Sequence, residues 1–237
     1  MSALKDLSTD NRFSKPLYSV SEAAAYVGVP RSTFDTWVHG YVRRPHGRPA
    51  VHGASLLTSV GDGRLVVPFI GLAEGIVLAA FRETGLPMQR IRPALERLDR
   101  EGHLDHALAS RNLYTDGAQI LFDYAQAEGD RQLRLLTVVE SGQRVFHEVI
   151  DRYLKRITYG ADGWPERIVL PITEEPLLIA DPKRAFGQPI FIHGGARLTD
   201  VRDRINAGES DEDVALDFGV PLDDVRSALA EVSRAAA

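Results

Sequence analysis

Apolar residues recur at helical spacing in two short runs near the start of the chain. Ala24 and Val27 mark the first run, and Phe34, Trp37 and Val38 form one stripe on the second. Ser19, followed three residues later by Glu22, is a capping box, so the first helix begins there with two backbone N–H groups satisfied reciprocally. Gly28 then supplies the left-handed residue that ends this helix and turns Val29 back toward the core. The second helix starts at about Arg31 and leaves Arg31, Ser32, Thr33 and Thr36 on its outer face. Helix, glycine turn and helix is the pattern in which the second helix enters a DNA major groove by its N-terminal residues. The same pattern also occurs in bundles that never touch nucleic acid, so the context has to decide.

Downstream, Arg43, Arg44 and Arg48 lie in a stretch broken by Gly and Pro that is unsuited to helix. Residues 55–60 and 64–67, joined through Gly61-Asp62-Gly63, read as a β-hairpin, hence a wing that would set the three arginines on phosphates. Residues 69–82 are apolar enough for a buried helix closed by Gly85, and 86–101 form a second helical stretch in which Pro93 marks a kink or a new start. Residues 105–172 read as mixed β and helix. A hairpin is expected around Asp116-Gly117 from 113–115 and 119–124, a strand over 133–139, a helical stripe over 143–154, and strands over 156–159 and 167–171. Three short helices close the chain: Leu198, Val201 and Ile205 ending at Gly208; Ser210 capping Val214, Ala215 and Phe218 and ending at Gly219; and Val225, Ala228 and Leu229 starting near Pro221.

Charge sharpens this picture. The 237-residue chain carries a formal net charge of -5, but residues 1–68 hold eight basic against five acidic side chains, whereas residues from 173 onward hold seven basic against thirteen acidic. One end suits phosphates and the other does not, which leads to the expectation that DNA and any protein partner are handled at opposite ends. Among residues 180–229, Phe186 and Phe218 are apolar anchors, and Arg184 and Arg197 are the arginines that a protein interface would use. With no cysteine there is no disulfide framework, and no run is apolar enough to span a membrane, so a cytoplasmic protein is expected.

No catalytic chemistry is legible. His147-Glu148 lacks the second histidine of a zincin because Asp151 stands there, His103 and His106 have no third ligand nearby, and His193-Gly194-Gly195 is not a phosphate loop. The expectation is a non-enzyme with no cofactor and no metal.

Two resemblances give this reading a family. P-R-S-T-F-D-T-W at residues 30–37 resembles the second helix of excisionase and MerR-like helix-turn-helix groups. D-P-x-x-x-F-G-x-P from Asp181, then G-E-S-x-E-D-V-A-x-D-F-G-V from Gly208 and D-D-V-R-x-A-L from Asp223, is similar to a small antitoxin-associated domain found beside PIN-domain ribonuclease toxins. That family pairs the domain with an N-terminal DNA-binding helix-turn-helix, as in VapB-type antitoxins. The resemblance implies an α+β, mainly helical fold: a winged helix-turn-helix domain over 1–110, a central mixed β/α region over 111–172 with a possible dimerisation role, and a three-helix domain over 173–237. It implies an antitoxin, with a PIN-domain toxin and double-stranded operator DNA as partners and a homodimer as the working form. DNA contacts are expected from Arg31, Ser32, Thr33, Thr36, Arg43, Arg44 and Arg48, and toxin contacts from Arg184, Phe186, Arg197 and Phe218. The alternative is a MerR-like regulator that binds a small effector between Tyr114, Phe122, Tyr124 and Trp164.

Overall fold

In the computed structural model, residues 7–44, 47, 49–102, 106–113, 117–140 and 143–236 are described. The fold is α+β and mainly helical, with its strands in antiparallel pairs. It divides by packing into two compact units. The first combines residues 1–75 with 169–237, and the second is the intervening stretch 76–168. Packing therefore divides the chain otherwise than the expected three consecutive segments, because its two ends fold together.

In the first unit a short helix α1 (Asn11–Ser14) leads to α2 (Val20–Val27) and α3 (Arg31–His39). The Ser19–Glu22 capping box forms as expected: the Ser19 N–H donates to Glu22 Oε2 at 2.9 Å, and the Glu22 N–H donates to Ser19 Oγ at 3.2 Å. Gly28 adopts φ 77°, and the Val29 N–H returns to the Ala24 carbonyl at 3.0 Å, which aims Val29 inward. Phe34, Trp37 and Val38 are buried against α2, with the Phe34 and Trp37 rings 6.0 Å apart.

The ribbon after α3 is not the one expected. It consists of β1 (Tyr41–Arg43) and β2 (Val51–Gly53), antiparallel, with Tyr41 opposite Gly53 and Arg43 opposite Val51. Gly40, at φ 73°, starts it, and a Cβ there would sit 2.3 Å from the Gly53 carbonyl oxygen. The expected hairpin over 55–67 is a loop. Val66 and Val67 are drawn instead to Leu17 and Tyr18, with the Val66 N–H donating to the Tyr18 carbonyl at 3.0 Å and the Tyr18 N–H to Val67.

The long helix α4 (Phe69–Glu83) starts in the first unit and ends in the second. After residue 168 the chain rejoins the first unit through β7 (Leu178–Ala180) and β8 (Ile190–Phe191), paired antiparallel with Leu178 opposite Phe191. The three expected closing helices follow as α9 (Leu198–Asn206), α10 (Asp211–Phe218) and α11 (Leu222–Ala236). α11 packs against both α10 and α2, burying Val225, Ala228 and Val232. Ser210 caps α10 through the Asp213 N–H at 3.1 Å, and Gly219 ends it at φ 63°.

In the second unit α5 (Met88–Gly102) contains Pro93, so no new helix starts there. Three other expectations are corrected. Residues 119–124 are not a strand but lie within α6 (Ala118–Ala127), because Ala118, Leu121 and Ala125 bury one face while Gln119 and Asp123 hydrogen-bond on the outside at 2.7 Å. Of the hairpin expected there, Thr115 and Asp116 fall outside the described residues. The strand expected over 133–139 begins only at Thr137. Asp130 accepts from the Gln132 and Leu133 N–H groups at 3.0 and 3.1 Å and so caps a short helix α7 (Arg131–Arg134) first. Then come β3 (Thr137–Glu140) and β4 (Gln143–Phe146), paired through Val138 and Val145. The stripe read as one helix over 143–154 is thus β4 followed by α8 (Glu148–Leu154), and the hairpin of β5 (Ile157–Tyr159) and β6 (Pro165–Val169) closes the unit with Ile157 opposite Ile168.

Candidate nucleic-acid interface

α3 exposes Arg31 and Ser32 in its first turn, with Thr33 and Thr36 half-buried behind them. Pro30 stands at the N-cap and offers no side-chain bond, so the first amides of α3 stay available at the positive end of the helix dipole. Thr36 Oγ1 donates to the Thr33 carbonyl at 2.7 Å, so its proton is committed to the helix and only its lone pairs remain for a ligand. Farther along, Asp35 meets His39 at 3.2 Å.

The ribbon places Arg43 on an exposed strand end with Arg44, also exposed, next to it, while Arg48 lies outside the described residues. Arg31, Arg43, Arg44 and Arg64 have no carboxylate partner among the described residues. The arginines of the closing helices differ: Arg197 pairs with Asp200 at 2.7 Å, Arg204 with Glu209 and with Asp217 at 2.8 Å, Arg226 with Asp211 at 3.2 Å, and Arg234 with Glu231 at 2.8 Å. Unpaired guanidiniums carry their full charge to a phosphate, whereas paired ones must first give up a carboxylate. Arg31, Arg43, Arg44 and Arg64 are thus free, whereas Arg197, Arg204, Arg226 and Arg234 are committed to carboxylates.

Of the four residues expected to meet a protein partner, Arg184 and Phe186 stand out. Phe186 is 76% exposed and sits at φ 55°, next to Ala185 at φ 46°, a left-handed pair that L side chains rarely adopt. The loop is held from behind: Asp181 accepts from the Lys183 N–H at 2.8 Å, Tyr18 donates its hydroxyl to the Gly187 carbonyl at 2.5 Å, and Gln188 Nε2 donates to the Leu17 carbonyl at 3.1 Å. Lys15 Nζ lies 5.2 Å from the Phe186 ring centre. Arg184 is exposed and has no ion pair among the described residues. Phe218 is half-buried beneath Arg204, 5.3 Å from its ring, and Arg197 is engaged by Asp200. Sequence reasoning missed Leu216, which is 80% exposed on α10. Its signal was an apolar residue off the Val214, Ala215 and Phe218 stripe.

Two of the four aromatic residues considered for an effector have separate partners. Tyr124 lies under Arg97 at 5.8 Å, Trp164 meets His106 edge-on at 6.3 Å, Phe122 is on α6, and Tyr114 lies outside the described residues, as does His103. No helix among the described residues is long and apolar enough to cross a membrane.

Comparison with known proteins agrees with this geometry. Residues 16–95 match the family model described as "Putative DNA-binding HTH domain". Across 94% of the chain, and 97% of the relative, the sequence is 42% identical to "Putative antitoxin VapB45" of Mycobacterium tuberculosis. It is 25% identical, over 94% of the chain and 93% of the relative, to "Uncharacterized protein Rv2308" of the same organism. The fold superposes on the crystal structure of Rv2018 from Mycobacterium tuberculosis with a TM-score of 0.74 and 39% identity, covering 92% of this chain and 99% of that one.

Proposed function

Because the chain belongs to the family of the VapB45 antitoxin and carries its DNA-binding helix-turn-helix at the N-terminus, we propose that it is the antitoxin of a type II toxin–antitoxin pair. In this reading it works in the cytoplasm as a homodimer, neutralises a PIN-domain ribonuclease by direct contact and represses its own operon. The observation that carries the DNA half is the exposed first turn of α3 beside a ribbon whose described arginines are unpaired. Arg31, Ser32, Thr33 and the lone pairs of Thr36 read base edges, and Arg43, Arg44 and Arg48 hold phosphates. For the toxin half, the strained and exposed Phe186 and the unpaired Arg184 supply an apolar anchor and a guanidinium suited to a carboxylate-lined site. Arg197, Phe218 and Leu216 extend that surface.

The test is reconstitution with the neighbouring reading frame. Growth arrest on expressing that frame alone, relief on co-expression with this chain, and retardation of the operon's own promoter fragment by the purified protein are the expected results. A neighbouring product that is harmless, or that this chain neither binds nor silences, rules the proposal out.

A further inference from the structure

Beside α2 lies a cleft of about 740 Å³ whose walls come from both ends of the sequence. Tyr26 of α2, Arg31 of α3, Asp62 and Arg64 of the loop before α4, Arg202 of α9 and Val232 of α11 all line it. Three arginines thus line one cavity. Arg31 and Arg64 have no carboxylate partner among the described residues, and Arg202 has only its neighbour Asp203, at 3.7 Å.

The acids lining the same cleft are largely spoken for. Glu22 Oε2 accepts from the Ser19 N–H at 2.9 Å and from the Ser19 hydroxyl at 2.7 Å, and Asp35 is met by His39 at 3.2 Å. Glu22, Asp35 and Asp62 each keep a carboxylate in the cleft, but none of them forms an ion pair with Arg31, Arg64 or Arg202 among the described residues. Tyr26 adds a second, independent sign of a missing ligand. The residue is 1% exposed, and its hydroxyl is buried without a hydrogen-bond partner among the described residues. Burial and the charge of Glu22 raise its pKa, with Arg202 pulling the other way, so the group stays protonated and has a proton to donate. A buried donor without an acceptor, beside three arginines that pair with none of the cleft's acids, is a site shaped for an anion with several oxygens.

We propose that this cleft binds a phosphate group, and that Arg202 brings the otherwise acidic C-terminal module into that contact. Arg64 and Arg202 hold the oxygens, and the Tyr26 hydroxyl donates to one of them. The phosphate belongs either to the backbone of a bound duplex or to a free phosphorylated molecule. The first source rests on the DNA-binding reading above, and the second does not.

The experiment uses the full-length chain, Arg202→Ala, Arg64→Ala and, as a control outside the cleft, Arg131→Ala. Each is measured for binding to promoter and scrambled duplexes across a salt series, and for the rise in Tm caused by inorganic pyrophosphate relative to chloride at equal ionic strength. Arg202→Gln, which keeps the length of the stem, replaces the alanine variant if that variant melts early in buffer alone. If the source is the duplex, Arg202→Ala and Arg64→Ala weaken both duplexes alike, about tenfold, and lower the salt slope by about one unit each. If the source is a free molecule, duplex binding is unchanged and the pyrophosphate-induced rise disappears in both variants. A wild type that ignores duplexes but responds to pyrophosphate through Arg202 removes the operator reading and leaves the site standing. Arg202 and Arg64 variants that match the control in both measurements overturn the proposal.

Discussion

The hydroxyl of Tyr18 donates to the main-chain carbonyl of Gly187 at 2.5 Å, joining residues 169 positions apart. Tyr18 is fully buried, and burial drives its pKa well above the ordinary tyrosine range, so the donor never ionises near neutrality. Tyr18→Phe leaves the Gly187 carbonyl without this donor in a dry setting. The expected loss is about 1–3 kcal/mol of unfolding free energy, read from urea denaturation followed by far-UV circular dichroism. An unchanged midpoint would show that the bond contributes nothing.

A truncation after Ile172 tests whether the two ends are separable. The charge pattern suggests a DNA-binding end that stands alone, but α11 covers α2 and the 181–189 loop is bonded to Leu17 and Tyr18. Fragment 1–172 is therefore expected to lose operator binding along with the cooperative melting of its helix-turn-helix. Retention of full-length affinity by the fragment would mean that the covering helices are dispensable.

Gly71 tests the loop that replaces the expected wing. A Cβ at this position would lie 2.4 Å from the Thr58 carbonyl oxygen, and that loop is also fixed by the Thr58 N–H donating to the buried Glu74 at 2.6 Å. Alanine gains about 1 kcal/mol of helix propensity over glycine, but a contact with rigid backbone costs about 1–3 kcal/mol. Gly71→Ala should therefore lower Tm. Gly63→Ala, with nothing within 4 Å of its added carbon, should be neutral or slightly stabilising.

Arg43 and Arg44 are expected to act without regard to sequence. Replacing both by alanine should weaken promoter and scrambled duplexes equally and reduce the salt slope by about two units, while Arg31→Ala should weaken the promoter more than the scramble. Electrophoretic retardation across a salt series separates the two behaviours. Loss of discrimination on removing Arg43 and Arg44 would move base reading to the ribbon.

Acid sensitivity is expected in the closing helices. The hydrogen bond from Arg204, then its charge, holds the Glu209 carboxyl below its ordinary value of 4.5 despite some desolvation. A carboxyl depressed on folding stabilises the fold above its unfolded pKa, and that contribution is lost as pH falls through the folded value. Glu209→Gln should consequently lower Tm at pH 7 slightly, because the site is exposed, and flatten the fall in Tm below pH 4.5. Parallel Tm-against-pH curves for both proteins would exclude the pair as a contributor.

The parts legible in the sequence are those whose signals are local. Ser19 with Glu22, Gly28 after Val27, and Ser210 with Gly219 each announce a helix end within four residues, and those helices are present. The ribbon went unread because its strands are three residues long and seven residues of Gly, Pro and Arg character separate them. Phe122 and Tyr124 favour strand on propensity, yet Ala118, Leu121 and Ala125 needed burial, and packing prevailed. The Tyr18–Gly187 bond and the cover of α11 on α2 leave no periodic trace at all. Such contacts join single residues far apart in the chain, so the expectation of separable ends had nothing local to correct it.

The meeting of the first and last residues in one unit also fixes an order of events at the ribosome. Synthesis delivers α2 and α3 early and the 76–168 stretch next, whereas α11 begins only at Leu222 of 237 residues. Until α11 emerges, the face of α2 that it will cover has no cover. A break in translation before Leu222 therefore yields a product whose helix-turn-helix lacks that packing.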